Sequence, residues 1–295
     1  MKLHILDLHF LDNLQTIAAF LIESSDGLIL VETGPYSTFS HLERGISSLG
    51  FALKDVRHVV VTHIHFDHAG AAWALAELGA NVYVHPFGYP HLLDPTKLYD
   101  SAKRIYQDDM DRLWSIMKPI PAAQLFAVEH GQALYFGDVE LKAWHTAGHA
   151  HHHIAWQVED VLFTGDVAGV KIHGGPVVAP CPPPDIDLEK WSESLALIRR
   201  LKPTKLFLTH YGVVTEVESH LKELESDLQT ISEWVKKEYQ KGTPLDEMTP
   251  LFDSFVRENL IKKGVGEIDL KRYQAANPAW MSVAGLVRYW KKKSS

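Results

Sequence analysis

The chain has 295 residues, 46% of them hydrophobic and 22% charged, so it can bury a large core and is not a disordered protein. A formal charge of −8 argues against a nucleic-acid partner, which needs a concentrated Lys/Arg surface, and the tight basic run Lys291-Lys292-Lys293 reads as a solvated tail. The single cysteine, Cys181, excludes an intrachain disulfide framework, no apolar run reaches the length of about twenty residues needed to span a bilayer, and no basic, apolar leader opens the chain, so a cytoplasmic protein is expected.

Residues 1–8 read as a first strand, and 27–31 as a continuous apolar strand ending in the turn-forming tetrad Glu32-Thr33-Gly34-Pro35. The apolar run Val59-Val60-Val61 leads into Thr62-His63-Ile64-His65-Phe66-Asp67-His68, with three imidazoles and a carboxylate inside six residues. Alternate residues of an extended segment point the same way, so His63 and His65 can share one ion, whereas Asp67 and His68 fall on the following turn. Over 97–117, Ala102, Ile105, Tyr106, Met110, Leu113, Trp114 and Met117 recur at helical spacing, closed by Pro119 and Pro121. That helix either packs as an ordinary element or overhangs the cluster.

Residues 139–144 alternate as a strand and run into Thr146-Ala147-Gly148-His149. His151, His152 and His153 follow directly, where hydrogen bonding is a more economical role than ligation. A hairpin is expected from 154–158 and 161–164 around Glu159-Asp160, with Asp166 just past Gly165. The segment 171–184, holding His173, Gly174, Gly175 and Pro180-Cys181-Pro182-Pro183-Pro184, follows Asp166 too closely to lie far from it. A last strand, 205–209, stops at His210-Tyr211-Gly212. Four strand ends thus deliver His63, His65, Asp67, His68, His149, Asp166 and His210, enough ligands for two ions sharing one carboxylate.

Beyond 213 the pattern turns helical. Thr215-Glu216-Val217-Glu218 resembles a capping box, Leu221, Leu224, Leu228, Ile231 and Val235 repeat at helical spacing up to Gly242, and Thr243-Pro244 opens another helix. Further helical pieces cover 268–276 and 280–290. Residues 1–213 are therefore read as one domain and 214–295 as a helical C-terminal subdomain, which would either cap a pocket or build a homodimer interface.

The order His-x-His-x-Asp-His, then Thr-Ala-Gly-His, then Thr-Gly-Asp, then Thr-His beside a final strand resembles the metallo-β-lactamase-fold hydrolase superfamily. The resemblance implies an α/β fold, an αββα sandwich with the site along one edge of its two sheets. It also implies His63, His65 and His149 on a first metal, Asp67, His68 and His210 on a second, and Asp166 bridging both. Relatives usually carry aspartate where Glu32 stands; Glu32 either orients a metal-binding histidine in that acid's place or is only a turn residue. In relatives, insertions between the second and third ligand-bearing segments overhang the metals, as the 97–117 helix would.

Two divalent ions, zinc before iron or manganese, would leave the centre net positive after Asp67, Asp166 and a bridging hydroxide are counted. Such a centre attacks an ester, thioester or lactone carbonyl of a small-molecule substrate, with Asp67 as the catalytic proton acceptor. The nearest branches are glyoxalase II-like and lactonase-like. Lactonases, however, place a tyrosine three residues after the bridging aspartate, where this chain has Gly169, and class B β-lactamases differ at Asp166. The alternatives are a mononuclear iron enzyme of the persulfide dioxygenase type and a phosphodiesterase on the same scaffold.

Overall fold

The computed structural model describes residues 2–294. Six strands form a first sheet in the order β1 (Lys2–Asp7), β2 (Ala18–Ser24), β3 (Gly27–Val31), β4 (Val56–Val60), β5 (Asn81–Val84) and β6 (Leu125–Ala127). The first three pair antiparallel and the rest parallel. The second sheet runs β7 (Ala133–Phe136), β8 (Val139–His145), β9 (Ile154–Val158), β10 (Val161–Phe163), β11 (Lys205–Leu208) and β12 (Gly212–Val214). Only β10 and β11 pair parallel in it. The expected hairpin over 154–164 is present, with Val161 opposite Val158 across the turn.

Side-chain alternation assigns each sheet two buried faces. Phe20, Ile22, Ile29 and Val31 meet Leu141, Trp156, Phe163 and Phe207 between the sheets. The intervening Leu21 and Leu30 turn outward against Leu42 and Ile46 of α1 (Phe39–Ser48). Short helices follow on that side: α2 (Phe66–Ala69), α3 (Ala72–Glu77), α4 (Tyr89–Leu93), α5 (Thr96–Tyr106) and α6 (Met110–Leu113). The second sheet is covered by α7 (Leu188–Leu201), α8 (Val217–Lys241), α9 (Leu245–Lys262) and, after α10 (Glu267–Ala276), which packs on Val170, Ile172 and Val178, by α11 (Ala279–Lys293). The result is the expected αββα sandwich with C-terminal helices.

Two local expectations fail. The 97–117 segment is not one helix: α5 ends at Tyr106, Gln107 adopts φ 46°, and a 3-10 turn over Gln107–Asp109 precedes α6. Gln107-Asp108-Asp109 has no apolar side chain to bury, so the apolar stripe is interrupted where the chain bends. At the start of α8 no side-chain cap forms, since Glu216 is the capping residue and Thr215 lies outside. That helix is stabilised by Leu221, Leu224, Leu228, Ile231 and Val235, which share one apolar cluster with Ala155, Leu162 and Leu206 of the second sheet. Gly242, at φ 80°, ends it in the left-handed conformation glycine permits.

Candidate metal centre

β4, β8, β10 and β11 end at one edge of the sandwich, and each releases ligand-type residues there. His63 and His65 follow β4, Asp67 and His68 lie on α2, His149 follows β8, Asp166 follows β10, and His210 follows β11. Tertiary structure brings all seven together. Donor atoms of His63, His65 and His149 lie within 4.8 Å of one another, as do those of Asp67, His68 and His210, and those of His63, His68 and Asp166. Asp166 faces the first two of these groups: Oδ2 is 3.3 Å from His149 Nε2, and Oδ1 is 3.4 Å from His68 Nε2 and 3.5 Å from His210 Nε2.

The hydrogen bonds around these side chains decide where their protons sit. His149 Nδ1 donates to the Pro180 carbonyl at 2.9 Å, His210 Nδ1 to the Thr16 carbonyl at 2.8 Å, and His68 Nδ1 to Glu32 Oε1 at 3.1 Å. His63 Nδ1 donates to Thr62 Oγ1 at 3.0 Å, because the Thr62 hydroxyl gives its own proton to Glu32. In their neutral form, the form that binds a metal, these four imidazoles therefore present a lone pair on Nε2 to the centre. His63 Nε2 and His149 Nε2 lie 2.9 and 3.1 Å from the same His65 Nδ1, which has at most one proton to offer. His68 Nε2, His210 Nε2 and Asp166 Oδ1 are buried with no hydrogen-bond partner among the described residues. Buried acceptors facing acceptors are costly unless a cation lies between them, so the donor set fits divalent metal ions.

Without a cation, protons on the imidazoles nearest the carboxylates partly take its place. Burial, reinforced by the neighbouring imidazoles, holds His63 well below the ordinary histidine range and pushes His65 down to about 3. Burial also opposes a proton on His68 and His210, but the surrounding carboxylates overcome it and raise both. For Asp67 and Asp166 burial opposes ionisation, and the imidazoles led by His68 outweigh it and hold both low.

Glu32 is not a mere turn residue. It is 0% exposed, takes a left-handed backbone (φ 66°), and accepts from Thr62 N, Thr62 Oγ1, His68 Nδ1 and Thr209 Oγ1. Sequence reasoning missed Thr62 and Thr209, although both stand immediately before a candidate ligand histidine, a repeated Thr-His signal. Thr16 and Pro180 act through backbone carbonyls and carry no side-chain signal. His153 Nδ1 bonds Thr146 Oγ1 at 2.8 Å, the structural role expected of it. His152 Nδ1 accepts from Ile64 N at 3.4 Å, and its ring lines the cavity beside the centre.

That cavity has a volume of about 330 Å³ and is walled by Phe66, Tyr106, Trp114, Trp280, Met281 and the prolines at 180 and 182–184. Tyr106 meets Trp114 and Trp280 edge to face at 5.3 and 5.6 Å. The 97–117 segment thus overhangs the site through Tyr106 and Trp114, and the turn between α10 and α11 closes it from the other side. Only part of the 171–184 rim takes part: the prolines do, whereas His173 lies outside the wall and pairs with Asp269 at 3.2 Å.

The sequence model of the metallo-beta-lactamase superfamily matches residues 13–210. The chain belongs to the metallo-beta-lactamase superfamily. Metallo-beta-lactamase fold-containing protein ST1585 of Sulfurisphaera tokodaii is 32% identical over 178 residues, which cover 58% of this chain and 67% of that protein. Atrochrysone carboxyl ACP thioesterase of Aspergillus fumigatus is 28% identical over 177 residues, 59% of this chain and 33% of the fungal protein. The chain spans between a third and two thirds of the length of the curated relatives it matches first. A metallo-beta-lactamase family protein of Thermus thermophilus, TTHA1429, shares the fold with a TM-score of 0.65 over 99% of this chain and 94% of that one, at 21% identity. That likeness of fold therefore extends through the C-terminal helices. No helix among the described residues is long and apolar enough to cross a membrane.

Proposed function

We propose that this superfamily member is a binuclear hydrolase of apolar acyl thioesters, esters or lactones. The observation that carries the reading is the acceptor-only array, divided into two groups that share Asp166 and open on the aromatic cavity. In it His63, His65 and His149 would hold one ion and Asp67, His68 and His210 the other, with Asp166 placed to serve both. Zinc suits a site richer in imidazole than in carboxylate, with iron or manganese next. Bound there, the ions supply Lewis acidity and an acidified water.

The protein's own groups do the rest. Asp67 turns Oδ2 toward His68 and His210, at 3.6 and 3.4 Å, leaving Oδ1 to take the proton of the attacking water. Phe66, Tyr106, Trp114 and Trp280 exclude bulk water and bind the acyl group by its apolar surface. A thioesterase among the relatives supports thioesters as the first class to try. The partner is a small molecule.

The test is elemental analysis of protein purified without chelator, together with a panel of thioesters, lactones, aryl esters and phosphodiesters. About two ions per chain are expected, with turnover on carbonyl substrates. In Asp166→Ala at least one ion and all turnover should be lost. A single iron with oxygen consumed on a persulfide, or turnover confined to phosphodiesters, would overturn the reading.

A further inference from the structure

The Pro180-Cys181-Pro182-Pro183-Pro184 run does more than wall the cavity. Its first carbonyl is the acceptor for His149 Nδ1 at 2.9 Å. His149 Nε2 also lies 3.1 Å from His65 Nδ1 and 3.3 Å from Asp166 Oδ2, the carboxylate that the two groups share. An error in its orientation would therefore disturb its own group and the shared carboxylate.

What holds that carbonyl in place lies outside the sandwich. Ala179 N donates to Asp227 Oδ2 of α8 at 2.8 Å, and Ala179 O accepts from Asn277 Nδ2, just past α10, at 3.3 Å. On the other side of Pro180, Cys181 N donates to Ser282 Oγ of α11 at 3.3 Å, and Ser282 Oγ in turn donates to Asn277 Oδ1 at 3.2 Å. Gly285 of α11 lets the helix press on the same segment: a Cβ there would stand 2.0 Å from the Cys181 carbonyl. Ala179, Pro180 and Cys181 are all buried. Proline donates no hydrogen bond, so Pro180 can be fixed only through its neighbours, and the groups that bind those neighbours all come from the C-terminal helices.

We propose that the C-terminal helices set the geometry of the metal centre, with Asp227, Asn277 and Ser282 as positioning residues that hold the Pro180 carbonyl against His149. This rests on His149 being a metal ligand. An outer acceptor fixes the tautomer and aim of a ligating imidazole, and its loss typically weakens metal binding by about 10–100-fold.

The experiment uses the full chain loaded with cobalt, comparing wild type with Asp227→Ala, Asn277→Ala, Ser282→Ala, Asp227→Asn and His149→Ala. The readouts are the visible cobalt spectrum, metal affinity by chelator competition, and kcat and KM on whichever acyl substrate is turned over. The three alanine variants at the clamp should shift the cobalt bands, weaken metal binding by about tenfold or more, and lower kcat more than they raise KM. Asp227→Asn keeps an oxygen acceptor and should restore the spectrum. Ser282→Ala removes a hydroxyl with little volume, so it carries the same test if Asp227→Ala does not fold. Folded clamp variants with wild-type spectrum and affinity, or an Asp227→Asn no better than alanine, would overturn the inference. If His149→Ala also left the spectrum and affinity unchanged, the metal assignment itself would fall; if only His149→Ala altered them, the clamp alone would.

Discussion

Glu32 is the residue whose replacement should disturb the most for the least change in volume. Its carboxylate receives the Thr62 N–H at 3.3 Å, the Thr62 hydroxyl, His68 Nδ1–H at 3.1 Å and the Thr209 hydroxyl at 3.3 Å, at a position that is 0% exposed. In Glu32→Ala the two hydroxyls can rotate toward other acceptors, but the Thr62 amide and the His68 ring proton cannot. Two fixed donors left buried at about 1–3 kcal/mol each give a destabilisation of roughly 2–6 kcal/mol, before any cavity term. Metal affinity at the His68 position should fall about 10–100-fold, because nothing then fixes the tautomer that presents Nε2. Glu32→Gln should do less harm. Its amide oxygen can stand where Oε1 accepts three of the four contacts, and only the Thr62 N–H at Oε2 meets a donor. Glu32→Asp, the residue common in relatives, should not restore the wild type, since a side chain one methylene shorter draws back from His68. Urea unfolding of the metal-free variants and zinc titration against a chromophoric chelator measure both quantities. An alanine variant with unchanged unfolding midpoint and unchanged metal affinity would refute the reasoning.

Three further outcomes are expected. In Gly165→Ala a Cβ would lie 2.4 Å from Thr62 Oγ1 and 2.8 Å from His153 Nε2 at a residue with φ 46°, so thermal unfolding should show a loss of about 1–3 kcal/mol and elemental analysis a lower metal content. Trp280→Ala should leave the metals in place while raising KM for bulky acyl substrates about tenfold, read from the substrate panel; an unchanged panel in folded protein would put the acyl pocket elsewhere. Burial pushes the Asp227 carboxyl up from 3.8 to about 6, so the folded state holds that proton more tightly and stability is lost as pH rises between those values. Asp227→Asn should therefore gain up to about 3 kcal/mol at pH above about 7 and nearly nothing at pH below about 4, measured by unfolding at both; an equal gain at the two would contradict the sign.

The candidate metal ligands are legible in the amino-acid order because they follow the ends of apolar strands, and strand ends at one edge of a sandwich converge whatever the loops between them do. His63, His65, Asp67, His68, His149, Asp166 and His210 could all be named on that ground, as could the long apolar stripe of α8. What holds those ligands in position was not legible. The partners of His149 and His210 are the carbonyls of Pro180 and Thr16, which every residue type possesses, and Glu32 reads as part of a turn until its carboxylate is seen among four donors. The break at Gln107 and the meeting of Tyr106 with Trp280 have the same origin. Local periodicity says which face of a helix is apolar, but which partner that face finds across some 170 residues of chain depends on the packing of the whole, and here it makes the C-terminal helices a wall of the cavity.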